Sequence, residues 1–174
     1  APLTMFRGIF KLEAGHYLLI GKDRRLIKRQ YWDAIPKGKV KYSEGEAIEA
    51  LRSKLNDSIR ERMMSDVPFG VFLSGGVDSS TNVALMSEMI DKPVKTFNVS
   101  ISGSHKYDES YYANLVSRNF RTEHHDIKID SGDFYKLFDQ LAYYTDEPPS
   151  EYSCIPNFYL AKLARENNVP VIQV

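Results

Sequence analysis

The 174 residues carry 23 lysines and arginines against 23 aspartates and glutamates, a formal net charge of zero. Balanced charge argues against nucleic-acid or membrane-surface binding by bulk electrostatics, and no apolar run approaches the ~20 residues a membrane span needs. One cysteine, Cys154, excludes an internal disulfide framework, and without a signal-peptide pattern the expected compartment is the cytoplasm. The length suits one full core, or one domain with an appendage.

The first 32 residues alternate short apolar runs with turn residues. Gly8–Leu12 and His16–Ile20 read as strands joined near Ala14 and Gly15, and Gly21-Lys22-Asp23 turns the chain into Leu26–Trp32. Pro36, Gly38 and several lysines then read as a connection. The division expected is residues 1–40 as a β-hairpin-rich segment and 41–174 as an α/β domain. A helix follows from Ser43, which with Glu46 makes a capping box. Ile48, Leu51, Leu55, Ile59 and Met63 form its apolar stripe.

From Val71 onward strand and helix patterns alternate. After the strand Val71–Leu73 the spacing predicts a helix over Asp78–Ile90, a strand over Val94–Ile101 and a helix over Tyr107–Phe120. A strand over Thr122–Ile129 and a helix from about Gly132 to Tyr144 come next, with Ser131 and Asp133 as candidate N-caps. A proline-bearing loop leads into helix Asn157–Asn167, and Val169–Val174 reads as a last strand beside the Val67–Leu73 segment. The fold class is therefore α/β, a parallel sheet with helices on both faces, preceded by the hairpin segment. In such sheets ligands lie beyond the carboxyl ends of the strands.

One turn sits at that edge. Leu73-Ser74-Gly75-Gly76-Val77-Asp78-Ser79-Ser80 joins a buried strand to a helix. Paired glycines let the main chain turn sharply and admit a ligand against the backbone. Unpaired amides there, and at the helix N-terminus that follows, favour a phosphate. Ser74, Ser79 and Ser80 add hydroxyls, and Asp78 is a carboxylate suited to hydrated Mg²⁺. No lysine occurs between Leu73 and Thr81, which excludes a Walker-type P-loop, and the Gly-x-Gly-x-x-Gly dinucleotide pattern is absent.

Ser-Gly-Gly-x-Asp-Ser instead resembles the pyrophosphate-binding loop of the N-type ATP pyrophosphatases, enzymes of the adenine nucleotide alpha-hydrolase-like fold. Gly8–Leu18 and Tyr31-Trp32-Asp33 look like the region that joins the glutaminase and synthetase domains of glutamine-dependent asparagine synthetases. The helix from Ser43, Tyr107–Ser110, Thr122–His125, Asp146-Glu147-Pro148 and Ile155–Ala164 continue that likeness in order. The resemblance implies that residues 1–40 close the glutaminase domain and that 41–174 begin the synthetase domain. It further implies an enzyme that adenylates the aspartate side chain with ATP and Mg²⁺, after which glutamine-derived ammonia gives asparagine. On that likeness Asp78 would be the catalytic metal ligand, and Ser74, Gly75, Gly76 and Ser79 would grip the leaving pyrophosphate. Leu73 and Val99 would meet the adenosine at the strand ends. The glutaminase domain would be a partner, and a homo-oligomer is a further expectation.

Two departures bear on the chain. It begins Ala1-Pro2-Leu3, where the family's glutaminase half begins with a catalytic cysteine, and Cys154 lies far downstream. The family's later acidic loop and catalytic lysine have no counterpart before Val174. The chain alone is therefore expected to be an inactive fragment that binds ATP weakly or not at all, and to self-associate. Alternatives in the same loop family are a sugar amidotransferase or β-lactam-forming synthetase with another acceptor; a non-catalytic nucleotide-binding domain is the third reading. His124 and His125 are neighbours in a strand, face opposite ways and cannot chelate one metal, and His16 and His105 lack ligand-spaced partners. Asp108 and Glu109 at a helix start read as capping acids. Asp146 and Glu147 read either as a solvated loop or as residues facing the substrate amine.

Overall fold

The computed structural model describes residues 2–36, 38–103, 109–145 and 153–173. The chain divides into two compact units, Ala1–Glu44 and Gly45–Val174. In the first, strand β1 (His16–Ile20) pairs antiparallel with β2 (Leu26–Gln30), from His16 opposite Gln30 to Ile20 opposite Leu26. The turn between them closes with Gly21 N–H donating to Arg25 O at 3.0 Å. Gly8–Leu12 does not form the expected strand. Gly8 adopts φ +83°, the Thr4 hydroxyl donates to Ile9 O and accepts from Phe6 N–H, and an isolated bridge, Leu3 to Phe10, takes the place of a strand. A left-handed residue at Gly8 interrupts the extension that a strand requires.

The second unit opens with α1 (Glu44–Arg62) and continues through β3 (Phe69–Phe72), α2 (Val77–Met89), β4 (Lys95–Ile101) and α3 (Ser110–Phe120). It ends with β5 (Glu123–Ile129), α4 (Ser131–Tyr144), α5 (Cys154–Glu166) and β6 (Val171–Gln173). The four strands are parallel, in the order β5-β4-β3-β6. Alternation along the strands supplies both faces. Val71, Leu73 and Val94 pack with Ile59 of α1, Val83 and Met86 of α2 and Ala113 of α3. Phe97 and Val169, with Phe72 and Val99, pack with Leu160 and Ala164 of α5 on the other side. A third cluster joins Leu137 and Leu141 of α4 to Ile155 of α5, and each fully buried aliphatic side chain in these clusters contributes roughly 1.5–3 kcal/mol.

The chain winds outward from β3 to β4 to β5 and then returns to β6 on the other flank of β3. The winding thus reverses at β3, and a ligand crevice is expected at the carboxyl end of that strand. Four helix expectations need correction. Glu109 stands at the N-cap of α3, but its side chain makes no cap bond. The α1 stripe is buried only at its end: Leu55, Ile59 and Met63 pack inward, while Ile48 and Leu51 are 59% and 61% exposed. The cap of α4 is Asp130, not Ser131 or Asp133. Its carboxylate accepts from Gly132 and Asp133 N–H, and Asp133 answers as the reciprocal member of the box. Helix α5 begins at Cys154 rather than Asn157, because Pro156 falls in the first turn, where its missing N–H costs nothing. His105, Tyr107, Asp108, Asp146, Glu147, Pro148 and Pro149 lie outside the described residues.

Candidate functional site

Strand β3 delivers the chain to its carboxyl edge, and Leu73 makes the last ladder bond there, N–H to Phe97 O at 2.8 Å. Leu73 itself is 1% exposed, its side chain fixed in the α1–α2 layer. Anything it offers a ligand must come from its main chain. Val99 lies two residues beyond Phe97 on β4, with its side chain in the opposite layer. Leu73 and Val99 therefore present side chains to different faces, and what they share toward the edge is backbone.

The turn proper is held by its own polar groups. Ser74 Oγ accepts from Gly76 N–H at 3.2 Å and lies 3.0 Å from Ser79 Oγ, and Ser79 Oγ donates to Gly76 O at 3.3 Å. Gly75 has φ +81°, which favours glycine, and a Cβ there would sit 2.5 Å from Tyr112 Cβ and 2.6 Å from Ala113 N. The first turn of α3 thus presses directly on the glycine. Gly76 is the N-cap of α2, with extended backbone and no side-chain cap. The first intrahelical bond runs from Ser80 N–H to Gly76 O at 3.0 Å. The amides of Val77, Asp78 and Ser79 are thus left without helical acceptors. Val77 is 83% exposed and Asp78 is exposed, while Ser79 is half-buried. The three amides form a cradle of a kind suited to an anion, while the Ser79 hydroxyl proton goes to Gly76 O and that of Ser74 to Ser79 Oγ. Ser80 does not join them, since its Oγ is buried and without a partner.

Asp78 is the carboxylate of the cradle. Among the described residues no group of three or more His, Cys, Asp or Glu could hold a metal by itself. Mg²⁺ commonly takes one or two carboxylates together with substrate phosphates and water, so a single exposed Asp78 fits that ion arriving with its nucleotide. The two histidines separate as their positions in the strand require. His125 stacks on Phe97 at 5.2 Å, while His124 Nδ1 lies 2.8 Å from Thr96 Oγ1. Burial holds the His124 imidazole below its ordinary pKa, and neighbouring His125 acts in the same direction against Asp126.

Sequence reasoning missed two parts of this neighbourhood. One is the packing of Tyr112 and Ala113 against Gly75. The other is a polar column of Thr96, Asn98 and Ser100 on β4, each buried and each opposed in register by His124, Asp126 and Lys128 of β5. The alternation Thr-x-Asn-x-Ser was the available signal, since polar residues at period two mark one face of a strand.

A glycine turn leading into an uncapped helix where a parallel sheet reverses is the arrangement of nucleotide- and phosphate-binding α/β proteins. The chain belongs to the asparagine synthase family, whose model matches residues 50–173. It is 38% identical over 95% of its length to a Methanocaldococcus jannaschii protein provisionally named as that organism's second glutamine-hydrolysing asparagine synthetase. It spans 32% of that relative, about a third of its length. Amidase chry2 of Gibberella zeae is 26% identical over 97% of the chain, which spans 28% of it. Among solved structures, the ammonia-dependent NAD synthetase of Campylobacter jejuni aligns with 18% identity and a TM-score of 0.46. That alignment covers 70% of this chain and 53% of the other. Among the described residues no helix is long and apolar enough to cross a membrane.

Proposed function

We propose that this chain is the ATP-binding part of an asparagine synthetase, in which the Ser74–Ser79 turn holds the phosphates of ATP while the aspartate side chain is adenylated. The observation that carries the reading is the uncapped N-terminus of α2. Its open amides follow directly on Ser74, Gly75 and Gly76 at the point where the sheet reverses. Membership of the family and the relative from M. jannaschii support it.

In the proposed reaction a carboxylate oxygen of aspartate forms a bond to the α-phosphorus, and the bond from that phosphorus to the bridging oxygen breaks. The pyrophosphate that leaves keeps the electron pair. Its growing charge would be met by the amides of Val77, Asp78 and Ser79, fixed before the reaction begins, and by the Ser74 and Ser79 hydroxyls once they turn from their bonds within the loop. Mg²⁺, held by Asp78 and the phosphates, would neutralise charge on the departing group. Ammonia derived from glutamine then attacks the adenylated carbonyl and releases AMP. The main chain at Leu73 and Val99 would read the adenine edge, and the first 40 residues would close a glutaminase domain.

The test is exchange of radiolabelled pyrophosphate into ATP by the complete enzyme. Exchange should depend on aspartate and be weak with other carboxylates. Exchange driven by a different acid would place the chain with amide-forming enzymes of another acceptor.

A further inference from the structure

Helix α3 touches the turn at one end and a line of hydroxyls at the other. Near its carboxyl end, Ser117 O accepts from Thr122 N–H at 3.0 Å, and Ser117 Oγ accepts from Thr122 Oγ1 at 2.9 Å. Thr122 Oγ1 lies 2.8 Å from Thr96 Oγ1, which lies 2.8 Å from His124 Nδ1. The proton positions follow by elimination. Thr122 spends its only hydroxyl proton on Ser117, so Thr96 must donate to Thr122. Thr96 can then only accept from the ring, which makes His124 the Nδ1–H tautomer. His124 Nε2 is left as a bare acceptor, buried and without a partner. The lowered basicity of the ring agrees with a histidine kept neutral in this role.

One helical turn separates Ser117 from Ala113, about 6 Å along the axis. At Ala113 and Tyr112 the same helix meets Gly75, leaving no room for even a Cβ. A helix pinned at Ser117 therefore fixes the wall on which the glycine turn rests. We propose that Ser117, Thr122, Thr96 and His124 form a positioning chain that holds α3 against Gly75 and so sets the shape of the Ser74–Ser79 turn for nucleotide phosphates. None of the four touches the turn itself; they act through α3. The proposal rests on the nucleotide reading of that turn.

The tautomer supplies the decisive comparison. Asparagine can place an amide donor near the position of Nδ1, whereas glutamine places its amide near that of Nε2. In the complete enzyme, His124→Asn should retain the chain and His124→Gln should lose it. Thr96→Ser should retain it and Thr96→Val should lose it. The lost variants should show amide exchange about ten-fold faster at Ala113 and Ser80, and a KM for ATP raised about five-fold, the scale of one neutral hydrogen bond. The KM values for aspartate and ammonia should stay put. A merely structural role would lower the active fraction, and with it kcat, without singling out ATP or sparing asparagine. Equal behaviour of His124→Asn and His124→Gln, or unchanged exchange at both amides, would overturn the positioning chain. If exchange follows the predicted pattern but the KM for ATP does not move, the chain stands and the phosphate reading of the turn falls. Should Thr96→Val not fold, the Asn and Gln pair carries the test alone.

Discussion

Gly75→Ala should unfold the turn's geometry at a cost of about 2–5 kcal/mol. Two terms add. A non-glycine residue at φ +81° costs roughly 1–2 kcal/mol. The new methyl would also lie 2.5–2.6 Å from Tyr112 Cβ, Tyr112 C and Ala113 N, mostly main chain of a packed helix that cannot swing aside. Overpacking of that kind costs about 1–3 kcal/mol. Gly76→Ala is the internal control. Its φ of −67° suits any residue, and the added methyl would meet only Ser74 Oγ at 3.3 Å. That change should cost about 1 kcal/mol or less, the loss of a tolerated cap. Denaturant midpoints of the two variants measured side by side decide the matter. Equal losses would mean that α3 does not bear on Gly75.

Asp78→Ala should have the opposite profile, a large loss of chemistry with little loss of stability. Asp78 is exposed in the first turn of α2, where a negative charge stabilises the helix by about 0.3–1 kcal/mol. In the complete enzyme the same carboxylate would hold the magnesium that meets the departing pyrophosphate. Removing one preorganised contact to a developing charge typically lowers kcat by about 10²–10³. Pyrophosphate exchange should fall by that factor while the thermal midpoint moves little. An exchange rate equal to that of the unaltered enzyme would remove Asp78 from the reaction.

The sequence reading reached the fold through periodicity and punctuation. The apolar run before Ser74 and the recurring strand and helix patterns placed the parallel strands and most helices within a few residues of where they lie. It failed where local patterns compete with local bonds. Gly8 and the Thr4 hydroxyl override an apolar run that looked like a strand. Asp130 takes the cap of α4 because its carboxylate reaches two amides, which the neighbouring Ser131 and Asp133 had obscured. The turn was legible because glycine pairs and serines at a strand end have few other uses. The clamp on it was not, since Tyr112 lies 37 positions from Gly75 in the chain and nothing in either segment announces the contact. The hydroxyl line through Thr96 was half legible, as a polar alternation whose partners only the strand register brings opposite.

The central claim is that the main-chain donors between Ser74 and Ser79 receive the outer phosphates of ATP. A crystal structure of the complete enzyme with magnesium and a non-hydrolysable ATP analogue tests it most directly. The account predicts the β- and γ-phosphates within hydrogen-bonding distance of the Val77, Asp78 and Ser79 amides, with the metal on Asp78. A triphosphate ordered elsewhere in the enzyme, with those amides facing only solvent, would contradict it.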